Sequence, residues 1–147
     1  LGLDLDPHAP DLDALVPGLA ARASVCDPRD VGAPIASGSF RHDGMVIIPC
    51  SGGTLGRMAS GASEDLIARA ADVCLKERRK LILVPRETPL HLLQLRNMVS
   101  LTAAGALILP ASPSFYTRPV DLTALVDTIV GRVLDHLGVV NALPRWS

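Results

Sequence analysis

Aromatic residues are scarce in this sequence: one Trp, one Tyr and two Phe in 147 residues. With so few rings, an aromatic in a loop, such as Tyr116, is less easily explained as core. Neither positive nor negative charge predominates. The formal net charge is −1, so no global basic field exists to gather nucleic acid or an anionic membrane. No apolar run approaches the length needed to cross a bilayer. Only three cysteines occur, Cys26, Cys50 and Cys74, far apart and without a CxxC pair. That odd count argues for a reducing compartment and against a disulfide framework or zinc site. No signal-peptide pattern is visible, which makes the cytoplasm the default location. No DDxxD motif is present, so phosphate chemistry through a magnesium cluster is poorly supported. The four histidines, His8, His42, His91 and His136, have no metal-ligand spacing and read as surface or capping residues.

What is present is an apolar chain, 48% hydrophobic and 20% charged. It is long enough for one domain with a sizeable core. No repeat, low-complexity tract or interdomain linker divides it, so residues 1–147 are read as one domain. The opening, LGLDLDPHAPDLDALVPGL, has no clear strand. It starts at Leu1 rather than Met, which reads as part of a longer protein or a beginning not represented here.

Apolar runs and helical patterns then alternate. ARASVCDPRD predicts a short strand turning at Asp27-Pro28. GMVIIPC predicts a buried strand bounded by turn formers. After SGGT, a helix-like segment starts at Leu55. In SEDLIARAADVCLKERR, Ser63 is a candidate N-cap. Glu64 and Asp65 come early and Lys76, Arg78 and Arg79 late, as the helix dipole favours. LILV is a continuous apolar strand. PLHLLQLRNMVSLTAAG predicts a helix with Pro89 near its first turn and Gly105 as its stop. ALILP is a further short strand and ASPSFYTRP a loop. DLTALVDTIVGRVLDHLG predicts an amphipathic helix capped by Asp121 and stopped by Gly138.

Continuous apolar strands alternating with helices imply a parallel sheet covered on both faces. Ligands of such sheets bind beyond the carboxyl ends of the strands. Three polar segments fall there: PCSGGT, VPRETP and LPASPSFYTRP. In SGGT, Gly52 and Gly53 let the backbone approach an anion or a polar ring edge, and Ser51 and Thr54 add hydroxyls. The same four residues also suit a plain strand-to-helix turn. Arg86 and Glu87 leave a strand that reads as fully buried, so they either face the ligand crevice or form a structural ion pair. Facing the crevice, Arg86 is a bidentate phosphate fork and Glu87 a proton carrier. Arg69 and Lys76 share one helix face, which spacing alone reads as solvated. Arg132, among Val130, Val133 and Leu134, is either a snorkelling surface residue or a phosphate ligand. Tyr116 is a loop ligand or a packing anchor. Cys50, at a strand exit with no visible activating base, reads as a small hydrophobe.

Taken in order, PCSGGTL, ARAADVCLKERRKLILVPRETPL, LRNM, GALILPASPSFYTRP, VDTIVGRVLDHLG and LPRW resemble the flavin prenyltransferases of the UbiX type, formerly described as decarboxylases. The resemblance runs from DPRDVGAPIASGSF to the C-terminus. It implies a three-layer, Rossmann-like (flavodoxin-like) α/β fold. It further implies transfer of a dimethylallyl group from dimethylallyl monophosphate to reduced FMN at N5 and C6, closing a fourth ring without a metal. The product would serve UbiD-type decarboxylases, including those of ubiquinone biosynthesis. By the resemblance, Ser51, Gly52, Gly53 and Thr54 contact flavin, and Arg86 touches both flavin and phosphate. Glu87 is the acid/base. Lys76, Tyr116 and Arg132, with Arg69 as a further member, bind the prenyl phosphate, and Trp146 is the tail aromatic near the site. A homododecamer with sites between subunits is also implied. The family opens with a strand, a Gly-Ala-Ser-Gly loop on the flavin phosphate, a helix and a second strand. These are not found in the 147 residues, so the sheet is expected to lack those N-terminal strands. The other readings are a related flavoprotein that decarboxylates a peptidyl cysteine and a non-catalytic flavin-binding subunit.

Overall fold

The structure, a computed structural model, describes residues 10–143. Three strands, β1 (Met45–Cys50), β2 (Leu81–Pro85) and β3 (Leu107–Ile108), form a parallel sheet in the order β1-β2-β3. Val46 pairs with Ile82 and Ile47 with Leu83, while Ile82 and Leu83 pair with Leu107 and Ile108. β2 is central and every one of its residues is buried. Its unbroken apolar run is what a strand covered on both faces requires.

Successive side chains of a strand point to opposite faces, and each face has its own cover. Ile47, Leu81 and Leu83 pack with Leu55, Met58, Ala71, Cys74 and Leu101. Those partners come from α2 (Gly52–Ser60), α3 (Leu66–Lys76) and α4 (Leu92–Ala104). On the other face, Ile82 and Val84 meet Val133, Ile129 and Leu137 of α5 (Leu122–Leu137). The result is the expected helix–sheet–helix sandwich. Leu83 is fully buried, so Leu83→Ala should lower the unfolding free energy by about 2–5 kcal/mol. Urea unfolding with an unchanged slope checks this.

Helix ends follow local chemistry. Asp121 caps α5 by accepting the Ala124 N–H at 2.7 Å. Gly105 (φ 111°) and Gly138 (φ 81°) end α4 and α5 in the left-handed region that favours glycine. Three helix starts differ from the sequence reading. Asp65, not Ser63, caps α3, because its carboxylate reaches the Ala68 N–H at 2.7 Å. α4 starts after His91, whose imidazole and Gln94 form a reciprocal capping box. Pro89 therefore precedes the helix instead of opening it. α2 starts at Gly52 rather than Leu55, since the Ser51 hydroxyl already accepts the Thr54 N–H.

The strand expected over residues 21–30 does not form. Asp27 turns the chain instead, accepting from the Arg29 N–H at 2.9 Å and from the Arg29 guanidinium at 2.8 Å. Val25 is exposed, and the segment pairs with none of the three strands. Residues before β1 contribute a short α1 (Leu12–Leu15) and a 3-10 turn (Pro34–Ala36). Among the described residues, β1 and β3 are the sheet edges, and no helix is long and apolar enough to cross a membrane.

Candidate functional site

Because the strands are parallel, Cys50, Pro85 and Ile108 leave the sheet at one rim. Pairing continues beyond β3: Leu109 donates its N–H to Leu83 O at 2.8 Å, and Ala111 to Pro85 O at 2.9 Å. This holds Ser112 beside Arg86. A cleft of about 330 Å³ opens here, lined by Arg86, Glu87, Thr88, Met98, Pro110 and Ser112. Arg86 also lines a second groove of about 360 Å³ on the α5 side, whose walls include Ile48, Pro49, Val84, Leu122 and Val126. One guanidinium thus stands between a mixed cleft, where Glu87, Thr88 and Ser112 sit among Pro85, Leu90, Met98, Pro110 and Ala111, and an apolar groove. Among the described residues no ion pair joins Arg86 to Glu87 or either to another side chain. The structural-pair alternative therefore has no counterpart there.

The SGGT turn lies next to Glu87, one of the residues lining this cleft. Ser51 Oγ lies 3.0 Å from Thr54 Oγ1 and accepts the Thr54 N–H at 3.1 Å. The Leu55 N–H goes to Ser51 O. The N–H groups of Gly52 and Gly53 are left in the first turn of α2, where a helix has no internal acceptor for them. Gly52 is needed for close approach. A Cβ there would lie 2.5 Å from Gln94 Nε2 and 3.5 Å from Glu87 Oε2. The turn, Gln94 and Glu87 therefore converge, and the chemistry of this set suits the polar edge of a flavin ring. Gly52→Ala should push Gln94 out of its box with His91 and cost about 1–3 kcal/mol in overpacking. Flavin titration and urea unfolding of this variant should both shift.

Gln94 and Arg57 were not singled out from sequence. Gln94 is buried against Gly52; its one sequence signal is its place three residues after the His91 cap. Arg57 supports the turn, donating to Thr54 Oγ1 at 3.3 Å and pairing with Asp65 at 3.2 Å. That contact joins α2 to the cap of α3, which no local pattern reveals.

Other sequence candidates lie apart. Tyr116 is exposed in the loop after β3. That loop is tied to α5 by the Ser114 N–H, which donates to Thr128 Oγ1 at 3.1 Å. Arg132 is exposed on α5, 3.5 Å from Asp135 and 3.5 Å from His136 Nε2. It lines a groove along β3 that shares Pro110 and Ser112 with the Arg86 cleft. Arg69 is exposed near the start of α3. Lys76 is at the end of α3, paired with Glu77 at 2.7 Å, and its ammonium holds the Glu77 carboxyl below the usual range. Since α3 leads into the start of β2, Lys76 sits at the opposite end of the sheet from Arg86. A five-residue strand spans about 16 Å, so these two cations of one chain do not share a phosphate. Trp146 lies outside the described residues.

Cys50 is 1% exposed, and burial pushes its thiol up to about 11. It is not an activated nucleophile. Iodoacetamide near neutral pH should label half-buried Cys26 and spare Cys50, which peptide masses would show. The folded pKa exceeds the unfolded one, so this group's contribution is intact below about pH 8.5. It is lost as pH rises toward 11.

The layers and the turn beside Glu87 describe a parallel α/β protein with its candidate site at the strand exits. Residues 13–142 match the Flavoprotein family model, and the chain belongs to that family. It is 57% identical over 122 residues to the flavin prenyltransferase UbiX of Alkalihalophilus pseudofirmus, covering 82% of this chain and 61% of that protein. It is 55% identical over 145 residues to the mitochondrial flavin prenyltransferase PAD1 of Saccharomyces cerevisiae, covering 98% of this chain and 57% of that protein. The chain thus spans 61% and 57% of the length of these two curated relatives. Among solved structures, AnUbiX (PadA1) in complex with FMN and dimethylallyl pyrophosphate superposes with a TM-score of 0.84 at 48% identity, covering 87% of this chain and 69% of that one. A dodecameric FMN-dependent UbiX-like decarboxylase from Escherichia coli O157:H7 gives 0.82 at 46% identity, covering 88% and 71%.

Proposed function

We propose that this protein transfers a dimethylallyl group from dimethylallyl monophosphate to reduced FMN. The observation that carries the reading is the position of Arg86, which lines both the cleft it shares with Glu87, Thr88 and Ser112 and the apolar groove. A substrate with a phosphate head and a short branched hydrocarbon needs that combination. The similarity to named flavin prenyltransferases supports it.

Reduced flavin, when bound, supplies an electron-rich ring as the acceptor of the allyl group. Ser51, Thr54 and the N–H groups of Gly52 and Gly53 hold its polar edge. Arg86 binds the phosphate as a fork and stabilises the charge that builds on it as the allyl–oxygen bond breaks. Glu87 takes up the proton released as the ring closes. Lys76, at the far end of its own sheet, serves a neighbouring subunit's site, and Arg69, Tyr116, Arg132 and Trp146 complete the phosphate and prenyl contacts across subunits. The product passes to a UbiD-type decarboxylase, in ubiquinone biosynthesis or related decarboxylations, in the cytoplasm. A peptidyl-cysteine decarboxylase is not favoured, because the relatives with about half or more of their residues identical are named flavin prenyltransferases. Such a role also gives no use for the Arg86–Tyr116–Arg132 set.

Assembly follows from the same reading. Leu92, Leu93 and Val99 of α4 are 58%, 63% and 69% exposed, leaving a helix with apolar residues on its outer side as well as its inner one. A homo-oligomer, dodecameric as in the relative from Escherichia coli, would bury them. Sedimentation velocity should show a species well above 15.5 kDa; a stable monomer at micromolar concentration contradicts this part.

Anaerobic calorimetry tests the substrate assignment. Reduced FMN and then dimethylallyl monophosphate should each bind in the presence of a chelator. Failure of the protein to bind either one overturns the proposal.

A further inference from the structure

At the end of the sheet opposite the Arg86 cleft, an imidazole nitrogen and a thioether each approach one buried thiol. Cys74, fully buried on α3, has its Sγ 3.9 Å from His42 Nε2 and 3.9 Å from Met45 Sδ. A single S–H proton serves at most one of those two acceptors. His42 Nδ1 lies 3.2 Å from Gly44 O. A carbonyl only accepts, so Nδ1 carries the proton and Nε2 turns a lone pair toward Cys74. Binding the outer ring N–H to a backbone carbonyl is how proteins orient a metal-ligating histidine. A small cavity of about 180 Å³ adjoins His42 and Met45, which wall it with Ile35, Phe40, Gly44 and Ala70.

We propose that Cys74, His42 and Met45 form a binding site for a soft monovalent cation, Cu(I). Metal–sulfur and metal–nitrogen bonds of about 2.3 and 2.0 Å place three donors in a plane about 3.5–4 Å apart, and the Cys74–His42 and Cys74–Met45 separations of 3.9 Å lie in that range. Thiolate and thioether together select Cu(I), and imidazole accommodates it. Zinc is disfavoured by the thioether and by the lack of a fourth donor among the described residues. Binding involves no redox change: the Cys74 thiol gives its proton to solvent, and its sulfur pair, the His42 Nε2 pair and a Met45 sulfur pair bind the ion.

The test uses Cu(I) held by ascorbate and a coloured bicinchoninate chelate without oxygen. The purified protein should withdraw one Cu(I) per chain, and X-ray absorption should show sulfur and nitrogen neighbours. Cys74→Ala should abolish the withdrawal. Met45→Leu conserves volume and should weaken it on the order of tenfold, at least what loss of an outer-shell partner costs. Cys26→Ser should leave it unchanged. Uptake by the Cys74→Ala protein equal to wild type, equal affinity in the Met45→Leu protein, or no uptake by the wild type would each overturn the assignment.

Discussion

Glu87→Gln should slow formation of the prenylated flavin by about 10²–10⁴-fold, with flavin and dimethylallyl monophosphate still bound. Glutamine keeps the size and hydrogen bonding of glutamate and loses only the ability to take a proton. Glu87 stands at the rim with its Oε2 near Gly52, beside the turn expected to hold the ring edge. It has no ion-pair partner among the described residues, so the substitution breaks no salt bridge there. Binding by calorimetry should match wild type, while the single-turnover rate falls. A wild-type rate would make Glu87 a structural residue.

The second large effect belongs to Arg86. Each charge-assisted contact to a phosphate contributes about 1.5–3 kcal/mol, so Arg86→Ala should weaken dimethylallyl monophosphate binding by roughly one to two orders of magnitude. Its guanidinium also meets charge that develops as the phosphate departs, so turnover should fall by a further factor of about 10²–10³. Arg86→Lys restores the charge but not the planar fork, and should recover binding more than rate. Arg132, already engaged with Asp135 and His136 on an exposed helix face, should show the smaller loss of the two. A larger loss from Arg132→Ala than from Arg86→Ala would move the phosphate to the β3 groove.

Much of this fold is legible in sequence because β2 is central. Leu81 to Val84 must be apolar on both faces, so the run announces itself. Asp121, Gly105 and Gly138 act within a single turn, and local chemistry suffices to place them. The misread strand at residues 21–30 had the apolar residues Val25 and Cys26 but no sheet neighbour, and pairing is a tertiary fact. The rim itself was legible, because parallel strands force their exits together. What lay on it was less so. Gln94 under Gly52 and Arg57 between Thr54 and Asp65 depend on how α2, α3 and α4 cross. Lys76 and Arg86 look close in KERRKLILVPRE, yet the strand between them carries them to opposite ends of the sheet. The Cys74–His42–Met45 trio was invisible for the same reason: 32 positions separate Cys74 from His42, and neither has metal-ligand spacing in the chain.

The most direct measurement is the mass and absorbance spectrum of the flavin after a single turnover. Reduced FMN and dimethylallyl monophosphate would be mixed without oxygen, with a chelator present. The protein would be expressed with any sequence that flanks these 147 residues. The flavin recovered from wild type should be heavier by one dimethylallyl unit and spectrally changed, and that from the Glu87→Gln and Arg86→Ala proteins unchanged over the same interval. Unmodified flavin from a wild-type protein that has bound both substrates would contradict the account.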